Sequence, residues 1–260
     1  MVCNESSPSW KNIEVSLEVI LALLAGAAAG GFINGLAGFG TALLSLGIWL
    51  QVMPPWQAVS IAAAMSVVSG VQSIWFTRRE LRGNGRLSRF LLPAILGLPI
   101  GLAVLSFISA AVLKLVIAGF MLLYGAFFVV RRSLPQIQRP LPVADSLVGF
   151  LGGVLGGAAS LSGALPTMWC ALQPWSKGET SAVLRPYNVV ILGIATVLFA
   201  WQGYYSSDTL IMIAVALPAT LIASQIGIAV FRRLTDYQFR WLLIWLMFAS
   251  GALLTLRELT

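Results

Sequence analysis

The stretch Gly31-Phe-Ile-Asn-Gly-Leu-Ala-Gly-Phe-Gly-Thr-Ala-Leu-Leu44 sets four glycines, Asn34 and Thr41 inside an otherwise apolar run. Each glycine weakens a helix by about 0.5–1 kcal/mol relative to alanine, and the polar side chains have no water to turn to if the run lies in lipid. The economical reading is a helix that breaks at membrane depth and resumes. A second such stretch, Gly149-Phe-Leu-Gly-Gly-Val-Leu-Gly-Gly-Ala-Ala-Ser-Leu-Ser-Gly-Ala-Leu-Pro166, opens the other half of the chain. Laying Gly31–Gly35 over Gly149–Gly153 carries Pro55-Trp56 onto Pro174-Trp175, with one residue inserted between the anchors. In this register the two halves lie about 118–119 residues apart.

The surrounding composition is that of a membrane protein. Of 260 residues, 58% are hydrophobic and 10% charged, against about 45–50% and ~25% in soluble domains; mean hydropathy is +0.90. With no His and only Cys3 and Cys170, the chain can build neither a His/Cys zinc site nor a Ser-His-Asp triad nor a disulfide framework. Most of its nine acidic residues fall in loops or near span ends, which argues against a buried carboxylate pair. No enzyme activity, metal or cofactor is therefore expected. The net charge of +7 is read as arginines flanking spans rather than as a nucleic-acid surface. The segment before Val15 is polar and acidic, unlike the basic start of a cleaved signal peptide.

Hydropathy gives ten segments: 16–33, 36–52, 57–77, 88–108, 111–130, 144–160, 163–173, 181–203, 207–231 and 237–256. At 1.5 Å per residue, segment 163–173 is too short for ~30 Å of hydrocarbon. With 144–160 it reads as a re-entrant hairpin, and 16–52 as its counterpart. Three arginine clusters mark the cytoplasmic side: Arg78, Arg79, Arg82, Arg86 and Arg89; Arg131, Arg132 and Arg139; Arg232, Arg233 and Arg240. Threading the chain through those anchors gives the halves opposite orientation and puts both termini on the non-cytoplasmic side of the cell (inner) membrane. The expected fold is thus all-α and polytopic, an inverted-topology repeat whose halves each hold a broken hairpin and three spanning helices. Its parts are a polar tail (1–14), a first repeat (15–132), a cytoplasmic linker (133–143) and a second, inverted repeat (144–257).

Inverted repeats place a substrate site near the midplane, where broken helices meet. The tips read Asn34 to Thr41 and Gly156 to Gly163. Both bring glycine and hydroxyl residues to the start of a helical run, where exposed N–H groups attract anions. Asn34, Gly38, Gly40, Thr41, Ser160, Ser162 and Gly163 are the candidate binding residues there. The competing role for glycine is close packing, as the small-xxx-small pairs Gly26/Gly30 and Gly97/Gly101 suggest. Arg185 and Asn188 lie three residues apart on one helical face, with Thr180 or Ser181 as the expected N-cap about one turn away. The repeat register puts Ser66 and Ser69 in the corresponding positions. An intramembrane Arg is costly and marks a functional site, unless it snorkels to the headgroups. Glu18 reads as an interfacial carboxylate and Cys170 as a small core residue.

The glycine stretches from Gly35 and from Gly149 resemble the paired motifs of the sulfite exporter TauE/SafE family, a resemblance covering Val15 to Leu254. It implies export or uptake of small sulfur-containing or organic anions such as sulfite, thiosulfate, sulfoacetate or other sulfonates. One departure is that the proline expected after the glycine motif occurs only in the second half, as Pro166. The first helix is therefore expected to be less sharply broken. A cytoplasm-negative potential favours anion exit by ~2.3 kcal/mol per charge per 100 mV, so an exporter needs no coupling ion. Export or facilitated diffusion by alternating access, the halves rocking about the site, is the leading expectation. An anion channel of the same architecture and proton-coupled uptake are the alternatives. The expected partners are the anion, the lipid bilayer and a second copy in a homo-oligomer, with no nucleic acid.

Overall fold

The computed structural model describes residues 17–77, 86–130, 137, 139, 141–235 and 237–238. Nine helices occur among them and no strand: α1 Leu17–Ala37, α2 Thr41–Trp49, α3 Pro55–Thr77, α4 Leu87–Phe107, α5 Ala110–Val130, α6 Pro142–Ala159, α7 Ala164–Ala171, α8 Lys177–Trp201 and α9 Ser207–Arg233. Helices α1, α3, α4, α6, α8 and α9 are long and apolar enough to cross a membrane, and α5 adds another apolar run of 21 residues. The chain is a multi-pass helical membrane protein. Lipid leaves no other choice for such runs, since every backbone N–H and C=O must be satisfied within the segment. The tail 1–14, most of the linker 133–143 and the tenth expected segment, 237–256, lie outside the described residues or nearly so.

The two hairpins are unequal-armed. α1 has 21 residues, about 31 Å at 1.5 Å per residue, and runs four residues past the expected end at residue 33. Asn34 and Gly35 are thus inside the helix rather than at its tip. α2 and α7, with 9 and 8 residues, are half-helices too short to span. The break between α1 and α2 is sharp although no proline makes it. Gly38 and Gly40 take φ of 83° and 96°, a left-handed backbone that glycine alone adopts at no steric cost. That corrects the gentler break expected from the missing proline.

α8 likewise begins earlier than its sequence suggested. The cap is Ser176, not Thr180 or Ser181: the Ser176 side chain accepts from the Glu179 N–H, and the Glu179 carboxylate accepts from the Ser176 N–H at 3.0 Å. This capping box satisfies two otherwise orphaned donors. Arg185 therefore lies nine residues beyond the cap, about 13 Å along the axis instead of one turn.

Two long-range helix pairs dominate the packing: α1 with α9, and α4 with α6. Each pair joins one helix from either half of the sequence. Glycines let the backbones meet. A Cβ on Gly31 would stand 2.5 Å from the Thr220 carbonyl, and on Gly35 it would overlap the Ser224 carbonyl. Gly97, Gly101, Gly149, Gly153 and Gly157 face carbonyls across the α4–α6 contact in the same way. α3 and α8 pack together between the pairs, α3 also touching α9 and α8 touching α4. Apolar side chains such as Leu92, Leu96, Phe107 and Ile222 face outward, as lipid requires.

Candidate functional site

The first break is held from α3. Asn34, fully buried on α1, donates through Nδ2 to the Ser66 carbonyl at 3.1 Å and to Ser69 Oγ at 2.6 Å. Ser69 Oγ donates in turn to the Met65 carbonyl at 2.6 Å. These bonds let an amide side chain sit inside an apolar helix without the penalty of an unpaired buried donor, which explains why α1 continues through Asn34. Past it, the Gly38 N–H returns to the Asn34 carbonyl at 2.7 Å and the chain turns. Gly40 caps α2 without a side-chain bond, and Thr41 is its first residue, 1% exposed.

The second break is built differently. Ser160 takes a left-handed conformation at φ 55°, a strain of about 1–3 kcal/mol for a residue with a side chain. Its N–H bonds the Gly156 carbonyl at 2.9 Å and the next N–H, of Leu161, bonds the Leu155 carbonyl at 3.1 Å, a Schellman-type closure of α6. Both expected hydroxyl donors are occupied by protein. Ser160 Oγ donates to the Val59 carbonyl at 2.9 Å, and Ser162 Oγ donates to Asn188 Oδ1 at 2.6 Å. Gly156 and Gly157 belong to α6 and its packing, so this tip is confined to Ser160–Gly163.

Arg185 joins the two breaks. It is fully buried, and its guanidinium does not reach for the headgroups. Nη1 and Nη2 both lie 3.4 Å from the Gly35 carbonyl, and Nη2 lies 3.4 Å from the Leu36 carbonyl. These are carbonyls of the last turn of α1, which have no intrahelical partner and carry the negative end of the helix dipole. The arginine thus closes a helix whose end is buried inside the protein. Its guanidinium also sits 4.8 Å from the centroid of the Phe231 ring on α9, a cation–π distance.

Gly38 is packed against the same side chain, and Gly163 is packed against Phe39: a Cβ at Gly163 would stand 2.5 Å from Phe39 Cβ. The two tips therefore touch directly, with Arg185 and Asn188 of α8 beside them. Gly70 against Val189 brings α3 alongside α8 next to Ser69 and Asn188. Several polar atoms around this junction are buried with no hydrogen-bond partner: Thr41 Oγ1, Ser66 Oγ, Asn34 Oδ1 and Asn188 Nδ2. Three of these can donate.

Sequence reasoning overlooked α9. Ser224 Oγ is also buried and unpartnered, on a helix whose backbone meets Gly35. Thr220, whose Oγ1 donates to the Ala216 carbonyl at 3.1 Å, lies one turn before it. The spacing Thr220, Ser224, Gly227 is a small-residue stripe of the kind that marks helix contacts, and it was the available signal. Phe231 gave none, being one aromatic among many. Glu18 is exposed in the first turn of α1 and Cys170 is buried in α7; neither joins the junction's hydrogen bonds.

The family described as Sulfite exporter TauE/SafE matches residues 22–254, a range holding both breaks and all of α8 and α9. A protein of Cupriavidus necator named "Probable sulfite/organosulfonate exporter TauE" is 26% identical over 217 residues, covering 80% of this chain and 82% of the relative. The family and the relative are both described as exporters.

Proposed function

This chain belongs to the sulfite exporter TauE/SafE family, and we propose that it is a secondary transporter that moves a small sulfur-containing or organic anion out of the cell. Sulfite, thiosulfate, sulfoacetate and related sulfonates form the substrate class, in keeping with the relative's name. The observation that carries the reading is Arg185: a permanent positive charge, fully buried and about a third of the way along a helix long enough to span, at the point where two broken helices touch. An anion is the natural occupant beside such a charge. Thr41, Ser66 and Asn188 offer uncommitted donors nearby, and the N-termini of α2 and α7 lack side-chain caps. Asn34, Ser69, Gly38, Gly40, Ser160, Ser162 and Gly163 shape the tips.

The cross-half packing supports an inverted repeat, because an exchange of halves turns the α1–α9 contact into the α6–α4 contact. It also suggests what moves. One body holds α1, α2, α3 and α9; the other holds α6, α7, α8 and α4; the α3–α8 seam and the Phe39–Gly163 touch lie between them. Alternating access is then a rocking of these bodies about Arg185. The arginine-rich ends lie in the cytoplasm of an inner-membrane protein, with both termini on the opposite side.

The test is flux from proteoliposomes loaded with sulfite, thiosulfate, sulfoacetate, taurine or lactate. The expected result is saturable efflux of at least one sulfur anion, driven by an inside-negative potential, with counterflow and with loss in Arg185→Ala. Conductance at channel rates without counterflow would overturn alternating access, and the absence of any anion flux would overturn the substrate class.

A further inference from the structure

We infer that a second anion site lies at the arginine-rich end, in a pocket of about 130 Å³ lined by Arg86, Arg89, Arg139, Asp145, Gln173 and Trp175, and that it takes a tetrahedral oxyanion. Arginines from two of the clusters used to orient the chain meet here, Arg86 and Arg89 at the start of α4 and Arg139 in the linker. Orientation alone asks only for charge on one side of the membrane; it does not ask for three arginines lining one cavity. The single carboxylate, Asp145, is 5% exposed, and its Oδ1 already accepts from Trp169 Nε1 at 2.6 Å. The balance inside the pocket is positive.

Arg86 is also positioned. Its guanidinium lies 4.8 Å from the centroid of the Trp175 ring, which holds the planar fork in place, and its Nη1 is buried without a hydrogen-bond partner. A buried guanidinium donor left unpaired is costly, and a phosphate or sulfonate oxygen accepts from it in the geometry that arginine favours. The space equals about four waters at ~30 Å³ each, enough for an oxyanion headgroup. That chemistry has two sources at a membrane surface: the phosphate of an anionic lipid and a soluble sulfonate or sulfate. The linker is fastened beside the pocket, where the Ile137 N–H bonds the Leu172 carbonyl at 2.9 Å. Occupancy therefore ties the joint between the two repeats to the base of the second hairpin. The site shares no residue with the Arg185 junction and depends on the transport reading only for the name of its leaflet.

The experiment uses the full chain, purified without anionic lipid. Phosphatidylglycerol is titrated by native mass spectrometry, and inorganic sulfate by thermal shift at constant ionic strength. We expect at least one probe to bind the wild type and Arg233→Gln, a charge control at the same end of the molecule. The double variant Arg86→Gln, Arg139→Gln should bind about tenfold more weakly or worse. Phosphatidylglycerol binding that sulfate cannot displace identifies the lipid, whereas sulfate protection identifies the soluble anion. Arg86→Lys keeps the charge and loses the stacked fork, so it decides the matter even if the double variant does not fold: several-fold weaker binding at near-native thermal stability supports a built site. Failure of both probes to bind the wild type overturns the inference. So does binding by Arg86→Lys or the double variant equal to that of Arg233→Gln.

Discussion

Gly38 and Arg185 touch so closely that one carbon added to the glycine would overlap Cγ of the arginine, with Cδ and Nε at 3.4 Å. The arginine's path to the end of α1 thus exists only because position 38 has no side chain. Gly38→Ala meets this overlap and a φ of 83° together. We expect it to cost about 1–3 kcal/mol of stability and to abolish flux, read as a lower thermal midpoint and silent proteoliposomes.

Arg185→Ala leaves the Gly35 and Leu36 carbonyls without their guanidinium donor. Each buried group stripped of its partner costs about 1–3 kcal/mol, so the variant should unfold at lower temperature and lose anion-dependent stabilisation. Arg185→Lys retains the charge but not the fork. We expect weak flux with a raised KM from Lys, and none from Ala. Equal flux in all three proteins would reduce Arg185 to a helix cap.

Asn34 and Ser69 form a bond that a double-mutant cycle can weigh. Asn34→Ala and Ser69→Ala remove opposite ends of the 2.6 Å contact, and a coupling energy of about 0.5–1.5 kcal/mol is expected from thermal or denaturant unfolding. Ser162 with Asn188, at the same separation, should give a similar value. Strict additivity in either cycle would mean that the contact does no energetic work.

Gly163→Ala drives a Cβ to 2.5 Å from Phe39 Cβ and 3.0 Å from its Cγ. Because the nearest atom is the Cβ itself, trimming the ring in Phe39→Ala relieves the contacts with Cγ and Cδ2 but not the closest one. Gly163→Ala should impair flux, and adding Phe39→Ala should restore little of it. Full recovery would show that the ring, not backbone proximity, limits how near the tips approach.

How far the sequence could be read depended on whether a residue stood out from its neighbours. Arg185 did, because a charge in an apolar run is conspicuous. Its depth did not, because the capping box Ser176–Glu179 sits in a polar turn where Thr180 and Ser181 are equally plausible caps. The extent of α1 was hidden for a different reason: Asn34 looks like a helix breaker until its amide finds Ser66 and Ser69 on α3, a partnership no local pattern reports. Phe231 was invisible because its importance comes from what crosses it in space, and Ser224 showed only as one member of a small-residue stripe. The half-helix α7 was legible from its length alone, whereas α2, read as part of the longer segment 36–52, was legible only as a counterpart through its glycines.

The α1–α9 seam carries a consequence for synthesis. Gly31 emerges from the ribosome well before Thr220, the residue it packs against; at ~5–20 residues per second the interval is about ten to forty seconds. α4 waits far less for α6. During that interval the glycine face of α1 stands in the bilayer without its mate, so a chaperone or a second nascent chain could shield it. Cysteine pairs across the two seams, read in ribosome-arrested chains of increasing length, should crosslink at α4–α6 first. Of the helices that build the junction around Arg185, α9 is made last, and it sets the moment at which that junction is assembled.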